Sequence, residues 1–165
     1  MKALYRFSDS LIKIGAYIAG TFIVLATLMT FYEVISRWLF NKPTIFATEL
    51  STYAIIGSCF LGSAYAIRTY AHITVDLLIN NVNDKLKKLL GYLSNSMGLI
   101  FSIIFTFYGL HHVLNTKELG VTSSSLLRVP MYIPELLLPL GGLLMCLAFI
   151  LQIIDGDIHR GGDHI

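Results

Sequence analysis

Charge is scarce in this sequence: 13% of its 165 residues are Asp, Glu, Lys or Arg, against 55% hydrophobic. A soluble globular domain carries about 25% charged residues, so the chain lacks the polar surface that would hold it in water. The shortage is also uneven, because whole stretches contain no charge at all. With a mean hydropathy of +0.70, the pattern makes lipid the solvent. The formal net charge of +2 leaves no basic face for a nucleic acid once the apolar segments are set aside. Cysteine is nearly absent too. Cys59 and Cys146 fall inside apolar runs, where a free thiol serves as a small hydrophobe. Internal repeats, low-complexity linkers and any second domain are also missing, so the chain reads as one membrane domain over residues 1–165.

What the sequence does have is four long apolar runs, at 14–32, 50–67, 89–110 and 131–154. Each reaches the roughly 18–20 residues needed to cross about 30 Å of hydrocarbon. In lipid the backbone must satisfy its own hydrogen bonds, so runs of this length are helices. The expected fold is an all-α membrane protein of four transmembrane helices, with spans at 14–38, 47–68, 86–112 and 131–154, packed as a four-helix bundle. The first run is longer than the roughly 7–15 apolar residues of a signal-peptide core, and no small-x-small site follows it. It reads as a retained signal anchor.

Two further segments have the pattern of short amphipathic interfacial helices. In 2–12, Leu4, Phe7, Leu11 and Ile12 recur at helical spacing among Lys2, Arg6, Asp9 and Lys13, as in a helix lying in the headgroup region before it turns into the membrane. In 70–80, Ile73, Leu77 and Leu78 do the same, with a turn expected at Asn80, Asn81 and Asn83 and an N-cap at Asp84. Basic residues set the orientation. Lys2, Arg6, Lys13, Arg68, Lys85, Lys87, Lys88 and Arg160 fall on one side, and Arg37, Lys42, Lys117 and Arg128 on the other. The richer side is the cytoplasmic one, which places both termini there.

Few residues in the spans can carry chemistry. Glu33 and Arg37 are four apart on the first helix and can pair, near an aromatic belt of Trp38 and Phe40. An ion pair that anchors helix depth and a polar contact to a partner helix both fit them; a proton relay fits less well. Glu49 opens the second helix and Glu135 the fourth, directly after Pro134, where a carboxylate complements the helix dipole. Together with Arg37 they are candidates for one network. His111 and His112 lie a membrane's width from His72, so no pair of them can clasp a haem, and His159 and His164 sit in a glycine-rich tail. No cofactor and no metal are expected. Gly57, Ser58, Cys59, Gly62, Ser63 and Ala64 give the second helix a narrow surface, as Gly141 and Gly142 do the fourth. Such positions admit a neighbouring backbone, either within the bundle or on a second membrane protein. Pro139 is expected to kink the fourth helix near its outer end.

The stretch Arg37-Trp-Leu-Phe-Asn-Lys-Pro43, then Glu49, Phe60-Leu-Gly-Ser-Ala64, Arg68 and His72-Ile-Thr-Val-Asp-Leu-Leu78, resembles the small membrane subunit of the tripartite ATP-independent periplasmic (TRAP) transporters. Pro130-Met-Tyr-Ile-Pro-Glu-Leu-Leu-Leu-Pro-Leu-Gly-Gly142 resembles the start of that family's fourth helix. The resemblance implies a non-catalytic scaffold in the bacterial inner membrane, beside a much larger subunit that moves substrate by an elevator-like mechanism. It implies that a soluble periplasmic protein delivers an organic acid, a dicarboxylate or a sialic acid, and that an ion gradient drives symport without ATP. It carries no substrate ligand onto this chain. Contacts to the partner subunit or within the interface fall to Glu33, Arg37, Glu49, Gly57, Gly62, Arg68, His72 and Asp76, and docking of the binding protein to Lys42 and Arg128. Two rivals remain open: the membrane anchor of a redox or other enzyme complex, and a small proton-coupled exporter using Glu33. Haem-ligand spacing would favour the first and is missing; Arg37, one turn from Glu33, counts against the second.

Overall fold

The computed structural model describes residues 2–41, 44–69, 84–125 and 127–155. It is built of helices: α1 Lys2–Phe40, α2 Ile45–Arg68, α3 Asp84–Glu118, the single turn α4 Tyr132–Glu135 and α5 Leu137–Asp155. Four membrane-spanning segments result, at Tyr5–Phe40, Ile45–Arg68, Leu89–Glu118 and Tyr132–Ile154. The expected fold class is therefore the observed one. The amphipathic segment 2–12 does not turn before the membrane, however. It forms the first turns of α1, which runs unbroken for 39 residues, about 58 Å at 1.5 Å per residue. The second interfacial segment, 70–80, lies outside the described residues.

The reason α1 stays continuous is a seam of small residues that starts inside its amphipathic part. Ser8, Ile12, Gly15, Ala19, Ala26, Glu33 and Ser36 are all buried, and Phe22 and Met29 fill the remaining positions of the same alternating four-three spacing. That spacing follows a 3.5-residue repeat, the geometry of two helices wound along one another. Against the seam lie Gly57 of α2, where a Cβ would meet Phe22, Gly62, facing Ala19, and the Leu61 carbonyl, facing Gly15, and the α1–α2 contact is the most extensive among the described residues. Small side chains on both sides let the backbones close, which in lipid replaces the hydrophobic drive as the source of packing energy.

The fourth span is interrupted where the sequence places Pro139. Proline has no N–H to give the carbonyl four residues back, and its ring crowds that carbonyl. That carbonyl belongs to Glu135, the last residue of α4, and the helix resumes at Leu137. The expected kink is a break between α4 and α5.

The bundle expected from the four spans is not closed. α1 packs on α2, α2 on α5 and α5 on α3, while α1 and α3 share no substantial contact. One core forms where α1, α2 and α5 meet, from Ile12, Ala64, Ile67, Ala148 and Leu151. α3 joins by α5 alone over most of its length, with Gly98 under the Phe149 ring and Gly142 against Thr106, and reaches α2 where Phe60 stacks on Phe105 at 5.5 Å. Only 17% to 33% of each span's most apolar stretch is buried. Lipid tails solvate apolar side chains as well as leucine does, so nothing drives α1 and α3 together, and both keep broad apolar faces.

Candidate functional site

Polar side chains gather at the two ends of this open layer. At the end where α2 finishes, Arg68 is drawn onto α1. Its Nε is 3.4 Å from Asp9 Oδ1, its terminal nitrogen donates to the Tyr5 hydroxyl, and its guanidinium stands 5.5 Å from the Tyr5 ring centroid. Asp9 also pairs with Lys13 Nζ at 2.9 Å. Beside this cluster the buried Gln152 donates its amide to the Ile67 carbonyl, one of the α2 carbonyls left near the helix end. Arg68, expected among the partner-subunit or interface contacts, is engaged here within its own chain.

At the opposite end, Glu33 and Arg37 pair on α1 as their spacing requires. Glu33 is buried on the α2-facing seam, whereas the Arg37 side chain is 64% exposed. A carboxylate held in the seam needs that counter-charge. Arg37→Ala alone should therefore lower the unfolding midpoint more than the double change Glu33→Gln with Arg37→Ala, because only the single variant strands a buried charge. Equal losses from both in thermal unfolding would show that the pair contributes little.

Glu49 corrects an expectation. It lies one turn inside α2, whose N-cap position is Thr44, and serves a loop instead of the helix dipole. Its carboxylate accepts the Tyr53 hydroxyl at 2.6 Å and the Ser125 hydroxyl from across the chain. The Tyr53 hydroxyl also stands 3.5 Å from Met131 Sδ. The loop it ties down begins with a closed helix end: Gly120 has φ +60°, its N–H reaches the Lys117 carbonyl and the Val121 N–H reaches Thr116. That is the pattern in which a left-handed glycine satisfies the last carbonyls of α3. The loop then folds back on itself. Thr122 bridges Pro130, Ser123 N–H donates to Val129 at 2.8 Å and Met131 N–H to Val121 at 3.0 Å. Ser125 is its hub, with its hydroxyl oxygen accepting from Ser123 Oγ at 3.0 Å and from Leu127 N at 3.1 Å.

Arg128, at the far side of this loop, has φ +44°. A left-handed non-glycine residue costs on the order of 1–3 kcal/mol and persists where its surroundings fix it. Here the fixing bond is its own N–H to the Ser125 carbonyl at 3.2 Å. Its side chain is exposed and has no partner among the described residues. Glu135 stands apart from both, its buried Oε2 3.5 Å from His112 Nε2 but without a hydrogen-bond partner among the described residues, so no contact among the described residues joins Arg37, Glu49 and Glu135 into one network.

The glycines fall inside the chain. A Cβ on Gly57 would meet Phe22 and Leu137 at 2.8 Å, and one on Gly62 would stand 3.6 Å from Ala19 Cβ. Lys42, His72 and Asp76 lie outside the described residues. The sequence reading missed Tyr5, Gln152, Tyr53 and the serines at 123 and 125. The four-residue spacing of Glu49 and Tyr53 and the run Ser123-Ser124-Ser125 were the signals present for the last group.

A four-span, open helical layer with polar ends defines the class as a multi-span α-helical membrane protein. Sequence comparison then makes the family plain. Residues 26–157 match the DctQ component of the tripartite ATP-independent periplasmic transporters, and the chain belongs to that family. It is a non-catalytic small permease subunit and a multi-pass inner-membrane protein. A C4-dicarboxylate TRAP transporter small permease protein DctQ of Vibrio cholerae serotype O1 is 26% identical over 94% of this chain and 76% of the relative. The protein of the same name from Rhodobacter capsulatus is 31% identical over 71% of this chain, and the matched part spans 51% of that relative. A sialic acid TRAP transporter permease protein SiaT of Haemophilus influenzae is 22% identical over 59% of this chain, in a stretch making up 16% of SiaT.

Proposed function

We propose that this chain is the stationary scaffold of a three-part uptake system. It flanks a larger multi-span subunit that carries substrate by an elevator-like movement, and a soluble periplasmic protein delivers that substrate. The observation that carries the reading is the match to a small fraction of SiaT. A unit like this one is there a minor part of a longer permease, which fits a separate chain that completes a larger partner. The broad apolar faces of α1 and α3 suit such a partner, and so does the absence, among the described residues, of charged side chains from the middle of the spans, where a substrate site would sit. The substrate is an organic acid, a dicarboxylate or a sialic acid, in keeping with the names of the relatives, and uptake is driven by an ion gradient. Both termini face the cytoplasm, as the basic residues direct, so the Arg68 cluster lies inside and the loops carrying Lys42 and Arg128 face the periplasm.

The test is purification of the tagged chain from its native membrane in mild detergent, followed by reconstitution. A stoichiometric complex with a large permease is expected, together with gradient-driven uptake that falls to background when either membrane subunit or the binding protein is left out. A homo-oligomer without a partner, or a partner bearing haem, would defeat the reading.

A further inference from the structure

The face of α1 turned away from α2 carries a row of side chains that the bundle leaves open. Arg6, Ser10, Lys13, Tyr17, Gly20 and Val24 repeat the alternating spacing of the seam on the opposite side, and all are exposed. Because α1 runs unbroken through its amphipathic turns, they stand in one line, basic at one end and apolar at the other. Arg6 and Ser10 have no partner among the described residues. Lys13 pairs with Asp9 at 2.9 Å, yet its side chain is 61% exposed. Up to Glu33, α1 carries Lys2, Arg6 and Lys13 against one acid, Asp9. That acid is shared between Lys13 and Arg68 and cannot neutralise both, so positive charge is left over. The depth of the row follows from its spacing. Residues 14–32 hold no charge and rise about 28 Å at 1.5 Å each, close to the roughly 30 Å of hydrocarbon. Lys13 therefore lies at one edge of the hydrocarbon, and Arg6, about 10 Å further along the axis, among the headgroups.

We infer that this row binds an anionic phospholipid, its phosphate held between Arg6 and Lys13 over the Ser10 hydroxyl and an acyl chain lying along Tyr17, Gly20 and Val24. In the orientation proposed above the lipid belongs to the cytoplasmic leaflet; the row itself is the same in either leaflet. Two helical turns separate Arg6 from Lys13, a gap that two long side chains close from both ends onto one phosphate. Its oxygens accept charge-assisted hydrogen bonds, and arginine meets them as a planar fork. A zwitterionic lipid fits less well, because its ammonium group needs an acid and Asp9 is already engaged by two cations. A soluble anion gains nothing from the apolar run below Lys13, whereas a phospholipid covers charge and apolar surface together. Tyr17 is 80% exposed and lies one turn below Lys13, at the interfacial depth that suits its amphipathic ring. Nothing stands within 4 Å of a Cβ on Gly20, so the path of the chain is open. A lipid held there fixes the depth of α1, whose 39 residues exceed what the bilayer requires.

The full chain is reconstituted into nanodiscs holding equal amounts of phosphatidylglycerol and phosphatidylethanolamine. After release into mild detergent, native mass spectrometry counts the lipids that stay bound. The wild-type chain should keep one phosphatidylglycerol, in clear preference to phosphatidylethanolamine. Arg6→Gln and Lys13→Gln should each cut that retention by about fivefold, the effect of removing one cation from an anionic membrane surface, and the double variant should abolish the preference. Arg6→Lys should keep most of it, and Lys117→Gln, at the other end of the layer, should change nothing. Folding is not at issue for Arg6, which touches no described partner, and in Lys13→Gln the Arg68 guanidinium still compensates Asp9. Equal retention of the two lipids by the wild-type chain, or unchanged preference in Arg6→Gln and Lys13→Gln, would overturn the site. So would a loss in Lys117→Gln as large as in Arg6→Gln, since retention would then follow net charge alone. Inorganic phosphate added in excess should leave the bound lipid in place; displacement by it would make the row a free-anion site and overturn the assignment to a lipid.

Discussion

Gly141→Leu should separate α2 from α5 and leave the chain unable to hold its third and fourth spans in place. A Cβ at Gly141 would lie 2.7 Å from Phe60 Cβ, 2.8 Å from the Phe60 carbonyl oxygen and 2.9 Å from its carbonyl carbon. Two of those atoms are backbone, so no rotamer change relieves the contact, and one helix must move away from the other. Alanine alone should cost about 1–3 kcal/mol, the range for overpacking a close contact; leucine should exceed it. The loss spreads, because α5 also carries α3, through Gly98 under Phe149 and Gly142 against Thr106. Gly20 is the internal comparison. Nothing lies within 4 Å of a Cβ there, so Gly20→Ala should be neutral or gain up to about 1 kcal/mol from helix propensity. Thermal unfolding and size-exclusion profiles in one detergent decide it: Gly141→Leu with a wild-type midpoint would mean that α2 and α5 are not held by this approach.

The contrast between those two glycines shows where sequence reasoning stops. Length and apolar content were enough for four spans, because the cost of an unsatisfied backbone in lipid permits little else. Local spacing was enough for Glu33 with Arg37, four residues apart, and for the break before Pro139, since both are consequences of one helix's own geometry. Neighbour choice is different. Periodicity marks a narrow face on α2 but not whether α1, α5 or another protein covers it, and the open order α1–α2–α5–α3 has no signature in any single helix. The seam through Ser8, Ile12, Gly15 and Ala19 was hidden for a related reason. Its first turns share residues with the charged pattern of Lys2, Arg6, Asp9 and Lys13, and the charges suggest a helix lying on the membrane. Glu49 was misassigned because its partner Ser125 is 76 positions away, while a carboxylate near a helix start has a cheaper local explanation.

Arg68→Ala should loosen the other end of the layer and at the same time decide whether this arginine serves its own chain or a partner. Its side chain is 16% exposed and that of Asp9 24%, so water screens their attraction only in part. Arg68 also donates to the Tyr5 hydroxyl and lies over its ring. Loss of a hydrogen bond to a charged group costs about 1.5–3 kcal/mol, and that range is the expected destabilisation. It stays below the about 3–5 kcal/mol of a stranded buried charge, because Lys13 remains 2.9 Å from Asp9 and keeps it compensated. Arg68→Lys should recover part of the loss, since an ammonium can pair with Asp9 but cannot span to Tyr5 with the same fork. In a double-mutant cycle, Arg68→Ala with Asp9→Asn should show a coupling of at least about 0.5 kcal/mol, the lower bound for residues that touch. The destabilisation should appear in the isolated small subunit. If the isolated chain unfolds at its wild-type midpoint while the complex with the large permease falls apart, Arg68 faces the partner and the α1–α2 lock is of no consequence.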